Sequence, residues 1–410
     1  MAKNYKALYE SSNDSLSLEQ RWYAVAEASK GTLQAPTNSD FFFTLGGGSI
    51  EFSQPFETSP HRSGRHHTSN IKKKKECSFS FSTYFNIDES LPSASLSEVD
   101  PAVRLLFRSA FGTEVISSGS PVFNTSSPAD FTFSLFEVGD KWSRQARAAF
   151  VQGCNMQFPG NGEATIEWSG NAAESILVGI AKTETNNTAN TITLLAGEED
   201  RVPVGSLIMI IKSDGTTRSS DTPAGSSRRV VSKAGNVITV SGAVLADANG
   251  TAGDVFIAYY EPAAPVAINN PVTGLVGSMT VASTTHTCFR SFGLQIANDH
   301  ELSDYCYGRD ALDAPFFVPG SRFTATVTAE VNLNDEIIAL FNRVVDFEAQ
   351  EMNFTLGSAS GRRFTLSVPK VQFPVPSFSV PDSGSVPVSF SGNALQSSFD
   401  AADEVIASFV

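Results

Sequence analysis

Two short phrases recur in this chain, in the same order, and they constrain its fold more than any other feature. Met156-Gln-Phe-Pro159 returns as Val371-Gln-Phe-Pro374, and Ser169-Gly-Asn-Ala172 returns as Ser391-Gly-Asn-Ala394. Each Ser-Gly-Asn-Ala closes an alternating segment that ends in Trp168 or Phe390. Four further pairs fall in the same order. Phe133-Ser-Leu135 matches Phe354-Thr-Leu356, and Cys77–Tyr84 matches Arg322–Ala329. The helical stretch around Leu106-Phe107 matches that around Leu340-Phe341, and Ser63-Gly-Arg65 matches Tyr307-Gly-Arg309. One shared tetrapeptide is chance; an ordered series is a duplicated unit. Each unit has about 140 residues, an ordinary domain size. That period is far longer than a solenoid repeat.

Within each unit the pattern reads strand, strand, long loop, strand, helix, then three strands. Cys77-Ser-Phe-Ser-Phe-Ser-Thr-Tyr84 alternates apolar and small polar residues, which is the period of a strand with one buried face. Pro101 stands at a favoured first-turn position of a helix, and Gly112 closes it. Gln145–Met156 reads as a long strand. Phe41-Phe-Phe43, Gly46-Gly-Gly48 and Ser49–Phe52 read as strand, turn and return strand. Between the units, 182–263 holds short strands separated by Asp214-Gly215, Gly235-Asn236 and Asn249-Gly250, the turn signals of a small barrel or sandwich. Ahead of the first unit, Ser17 and Gln20 have capping-box spacing, and Trp22, Val25 and Ala26 predict one face of a helix. The expected organisation is therefore an N-terminal helix and arm over 1–38, a unit over 39–181, an inserted β module over 182–263 and a second unit over 264–410. The expected fold class is mainly β: two antiparallel sandwich or half-barrel units, each with a flanking helix, plus the barrel-like module.

Composition narrows the function. The formal net charge is −14, the opposite of a nucleic-acid reader's basic face. Cys77, Cys154, Cys288 and Cys306 include no CxxC pair, so neither a disulfide scaffold nor a zinc site is expected. The first fifteen residues lack the apolar stretch of a signal peptide, and no apolar run approaches a membrane span, so a cytoplasmically made protein without membrane insertion is expected.

The unit order, the long charged loop before the third strand, the helix and the closing strand with its Ser-Gly-Asn-Ala resemble the tail tube (major tail) proteins of long-tailed, siphovirus-type bacteriophages. The resemblance covers roughly 39–181 and 264–410. It implies a structural virion protein, assembled in the host cytoplasm, whose rings stack into the tail tube through which DNA is ejected. Two units per chain then imply homotrimeric, pseudo-hexameric rings. It further implies contacts with tape-measure, tail terminator and distal tail proteins, and DNA transit without specific binding. Lumen-lining positions would be Ser78, Ser80, Ser82, Thr132, Ser134, Thr324, Thr326 and Thr328. Ring-to-ring contacts would use the 53–75 and 299–321 loops, with His61, Arg62, Arg65, Lys72, Lys73, Asp304, Arg309 and Asp310.

No catalytic residue, metal site or cofactor is expected. His61, His66 and His67 lack matching ligands at metal spacing. Gly46-Gly-Gly48 lacks the Lys-Ser/Thr of a P-loop. Asp299-His300-Glu301 has no nucleophile motif beside it and reads as a surface loop. Tyr259-Tyr260-Glu261-Pro262 reads as a strand end with one ring packed and one exposed. Lys72–Lys75 reads as a strand edge or interface rather than a phosphate grip. The competing readings are a carbohydrate-binding or adhesive β protein, and another tail component such as a distal tail ring protein.

Overall fold

The computed structural model describes residues 3–11, 14–15, 20–60, 69–73, 75–85, 100–117, 119–126, 131–184, 190–218, 228–242, 256–262, 277–281, 284–286, 289–298, 300–302, 317–319, 323–357, 363–376, 378, 380–399 and 401–409. The fold is mainly β, with large antiparallel sheets and a small separate one. Sixteen strands of the main sheet fall into two sets. The first set is β1 (Arg21–Ala26), β2 (Phe41–Phe42), β3 (Ser49–Ser53), β4 (Glu76–Tyr84), β5 (Phe133–Val138), β6 (Ser143–Pro159), β7 (Thr165–Ala172) and β8 (Glu174–Val178). The second is β9 (Gly277–Val281), β10 (Thr284–His286), β11 (Phe289–Ala297), β12 (Thr324–Asn332), β13 (Gln350–Leu356), β14 (Phe364–Gln372), β15 (Pro387–Leu395) and β16 (Ile406–Phe409). Helices α1 (Pro101–Phe111) and α2 (Asp335–Val345) follow β4 and β12.

The pairing order of the first set is β2-β1-β5-β6-β7-β4-β3. The second set repeats it as β10-β9-β13-β14-β15-β12-β11. β8 and β16 sit at the same place on β6 and β14. Even a bulge repeats, between Ala146 and Ala149 of β6 and between Val368 and Val371 of β14. So does a loop hydrogen bond: Phe85 N–H donates to the Ala164 carbonyl, as Leu333 N–H does to that of Val386. The two sets join edge to edge, with Gly153–Pro159 of β6 paired to Ser291–Ala297 of β11. Among the described residues the pairing branches at β6 and β14 and never returns on itself, so the sheet is open.

These rungs revise the letter-by-letter matches. Ser169–Ala172 and Ser391–Ala394 are equivalent, on Ser80 and Thr328 respectively. Cys77 corresponds to Ala325, not Arg322. Phe133 corresponds to Gln350, not Phe354, and Ala149 to Val371, so the two Gln-Phe-Pro phrases occupy different places. Loops of unequal length let a strand slide against its copy in the letters; hydrogen-bonded rungs do not allow it.

The N-terminal helix expected around Trp22 is instead β1. Trp22 and Tyr23 point to opposite sides, Trp22 into the main core beside Phe42 and Phe81, Tyr23 into a second core beside Phe41. A strand buried on both faces has no alternation to betray it. β2 and β3 do not return on each other; they pair with β1 and β4.

The inserted strands form a six-stranded sheet ordered 181–182, 256–259, 207–211, 228–234, 237–240 and 191–193, whose two end strands meet just past their ends at an antiparallel Thr183–Leu194 bridge. Its core holds Ile192, Ile208, Ile210, Ile238 and Tyr259. It docks on the first set through Gln145, whose amide bonds both the N–H and the carbonyl of Leu207 at 2.7 and 2.8 Å. Tyr259 and Tyr260 are both buried, contrary to the one-in, one-out reading. Glu261 is buried with them and holds Lys3 at 2.9 Å and Arg21 at 2.6 Å.

Asp100 caps α1 by accepting from Ala102 N–H, yet burial pushes its carboxyl up to about 7. A carboxyl that binds its proton more tightly when folded lowers stability as pH rises, here between about 4 and about 7. Asp100→Asn keeps a good cap. It is expected to flatten the decline in melting temperature from pH 4.5 to 7.5 relative to the parent chain, as read by differential scanning calorimetry.

Candidate assembly surface

Alternation along β4 puts Cys77, Phe79 and Phe81 in the core and leaves Ser78 and Ser80 exposed and Ser82 half-buried. The same alternation on β12 exposes Thr324 and Thr328 and leaves Thr326 half-buried. The join between β6 and β11 makes these two strands part of one run, β3-β4-β7-β6-β11-β12-β15. Its outward rungs are continuous. Ser82, Glu167, Asn155, Gln295, Thr326 and Asn393 lie side by side across six strands. The neighbouring rung carries Tyr84, Thr165, Gln157, Gly293, Thr328 and Ser391. Beneath the first lie Phe81, Trp168, Cys154 and Ile296, all buried.

This face is polar but nearly devoid of free cations. Glu51, Glu167 and Glu330 project from it, and Arg290 is drawn to Glu330 at 3.4 Å and to Asn332 at 2.8 Å. A hollow of about 380 Å³ lies over Ser80, Ser82, Asn155, Glu167 and Gln295. Hydroxyl and amide groups offer weak, exchangeable hydrogen bonds, and carboxylates repel phosphate.

Two of the eight positions expected on this face are elsewhere. Thr132 and Ser134 are fully buried, and both hydroxyls donate to the Glu27 carboxylate. Glu27 also accepts from Ala148 N–H at 2.8 Å, beside the β6 bulge. Ser134 lies on β5, which is buried along its whole length, and Thr132 just before it, so small hydroxyls there serve the half-buried Glu27 carboxylate. Asn155, Glu167 and Gln295 were missed by sequence. Their strict alternation with Cys154, Trp168 and Ile296 was the available signal.

The long loops share a feature. Phe56–Thr58 pairs with Asn70–Lys72 in the loop between β3 and β4, and His300–Leu302 pairs with Phe317–Pro319 in the loop between β11 and β12. Lys72 is exposed, and Lys73 meets Glu57 at 3.0 Å. Phe56 and Ile71 are exposed on the first ribbon. His61, Arg62, Arg65, Asp304, Arg309 and Asp310 lie outside the described residues, as do His66, His67, Cys288 and Cys306. Cys77 and Cys154 are buried free thiols whose proton affinity burial raises.

The chain matches no family model and no curated protein. Among the described residues, no group of three or more His, Cys, Asp or Glu side chains is placed to hold a metal, and no helix is long and apolar enough to cross a membrane.

Proposed function

We propose that this protein is a structural subunit that polymerises as stacked rings into a phage tail tube, with the polar face of β3-β4-β7-β6-β11-β12-β15 lining the bore. The observation that carries the reading is that face itself: one unbroken run of strands, drawn from both sets, with hydroxyl, amide and carboxylate groups outward and a packed core beneath. DNA binds through cations that displace its counterions. A bore without them lets the duplex slide. Ser78, Ser80, Ser82, Thr324, Thr326 and Thr328 are the bore positions in this reading; Thr132 and Ser134 are not.

The repeated strand order supports two equivalent half-barrel units in one chain, each with its helix, and hence three chains where six units make a ring. The ribbons at 56–72 and 300–319 lie in the loops assigned to ring-to-ring contact. Stacking rings head to tail is a heterologous contact that does not close, so it yields a filament. The inserted sheet docks on the N-terminal half of β6, away from the polar rungs, and is assigned to the outside. Tape-measure, terminator and distal tail proteins are the partners the reading requires.

Analytical ultracentrifugation tests it. Purified protein should shift from small oligomers to long polymers as concentration rises. A distal ring protein would stop at one ring, and a monomer at every concentration and salt would end the tube reading.

A further inference from the structure

The two units share a topology, but the helices that lie on them are held very differently. α1 and α2 have eleven residues each, follow equivalent strands and begin on a capping side chain, Asp100 or Asn334. Eight residues of α1 are buried, but only three of α2. Those three, Ile337, Leu340 and Val344, match Val103, Leu106 and Ala110 in place. One face of each helix is thus packed, and only α1 has cover on the other.

The cover over α1 comes from outside the repeated pattern. After α1 the chain makes a hairpin, Thr113–Ser117 with Ser120–Asn124, whose second strand pairs with β16. Phe107 of α1 packs on Phe123 of this hairpin and on Phe364 and Phe409 of the second set. Arg104 pairs with Glu114 of the hairpin. Ser109 accepts from Val151 N–H at 3.0 Å, and the Ala110 carbonyl accepts from the Asn298 amide. After α2 the chain runs from Val345 to Gln350, the first residue of β13, with no room for a hairpin. Ile338, Arg343 and Val345, in the places of Arg104, Ser109 and Phe111, are all exposed.

The floor beneath α2 is poorer as well. In the first unit Trp22, Phe42 and Phe81 pack together, with ring centroids 5.1, 5.2 and 6.4 Å apart. The rungs put Met279, His286 and Ala329 in their places. Trp22 lies opposite Phe42 as Met279 lies opposite His286, and Phe81 opposite Trp168 as Ala329 opposite Phe390. Three large rings give way to a thioether, an imidazole and a methyl. A void of about 10 Å³ remains, bounded by Met279, Ala329, Ile337, Leu340, Met352 and Phe390. Its walls are apolar, so it offers a water no partner. Ring volume that the neighbours do not refill weakens packing, and Met fills such gaps loosely. One polar tie crosses to the helix: His286 Nδ1 lies 3.4 Å from the Glu336 carboxylate, in the first turn of α2.

We infer that α2 is a lid on the second unit: in the lone chain it lifts from β9, β12, β13 and β15 as one piece, whereas α1 leaves only when the whole protein unfolds. Local openings fall where apolar burial is sparse and backbone hydrogen bonds face solvent. α2 combines one packed face, a void below it and solvent above. Lifting exposes Met279, Met352 and Phe390; closing hides them. Any contact made only with the closed lid, on Ile338, Val345 or the nearby Phe347, shifts it shut by the difference in affinity for the two states. The lid is a property of the lone chain and holds whether or not the protein builds a tube.

Hydrogen exchange of the unassembled protein, read by mass spectrometry, tests the lid with α1 as the internal reference. After correction for intrinsic rates, the amides of 335–345 should exchange roughly a hundredfold faster than those of 101–111. About 1 M urea should speed exchange in α1 and leave α2 within about twofold, because a small opening exposes little surface. Thiol labelling gives a second reading. Val344→Cys should react roughly a hundredfold faster than Ala110→Cys, its match on α1, with the parent chain as the control for the native cysteines. A common exchange rate and urea dependence for the two helices, or equal labelling of the two cysteines, would overturn the lid and leave the tube reading standing.

Discussion

Alanine at Gly170 or at Gly392 is expected to destabilise the protein by about 3 kcal/mol, the upper part of the range for overpacking a core. A Cβ at Gly170 would lie 2.1 Å from the Phe150 carbonyl oxygen and 2.5 Å from the Phe79 ring. One at Gly392 would lie 2.3 Å from the Gln372 carbonyl oxygen and 2.6 Å from the Phe373 ring. In each case one obstacle is the backbone of the neighbouring strand, which cannot rotate away. The collisions are equivalent because the glycines are equivalent, each crossing just past the repeated bulge. Gly46→Ala, with nothing near its would-be Cβ, should change stability by less than about 0.5 kcal/mol. Urea unfolding of the three variants measures the difference. A neutral result at Gly170 or Gly392 would mean that β6 and β14 do not approach β7 and β15 as described.

Lysines on the polar face are expected to convert a non-binding surface into a DNA-binding one. Ser80→Lys, Ser82→Lys, Thr326→Lys and Thr328→Lys together would add four cations to this one face, two on β4 and two on β12, at exposed or half-buried positions. Non-specific protein–DNA binding runs at roughly 10⁻⁴ to 10⁻⁶ M at physiological salt. The substituted protein should enter that range, and its affinity should fall as salt rises from about 50 to 200 mM by roughly the amount four phosphate contacts require. The parent should bind no duplex in the same fluorescence-polarisation titration. Binding by the parent would remove the reason for assigning this face to a bore.

The sequence carried the mainly β class, α1 with its Pro101 and Gly112 ends, the buried strand at Leu207–Ile211 and the duplication itself. Each rests on a local signal: alternation, a cap or a repeated phrase. What it did not carry depends on what packs on the far side of a strand. Trp22, Val25 and Ala26 fit a helical stripe as well as a strand, and only the second core over Tyr23 decides between them. Thr132 and Ser134 have the letters of a solvated strand, but Glu27, more than a hundred residues away, buries them. The register of the two units was misread where it relied on Gln-Phe-Pro and read correctly where it relied on Ser-Gly-Asn-Ala. The glycine in the latter is required by a backbone contact, and no such requirement fixes the former. Of the proposed bore, the outer serines and threonines of β4 and β12 were legible; Asn155, Glu167 and Gln295 emerged only once β6 and β11 were seen to join.

The most direct measurement of the central claim is the copy number per ring in electron micrographs of the assembled protein. Stacked rings of three chains, each showing six similar lobes around a bore lined by β4 and β12, are the predicted result. A ring of six chains, a lone ring that never stacks, or a monomer at every concentration would contradict it.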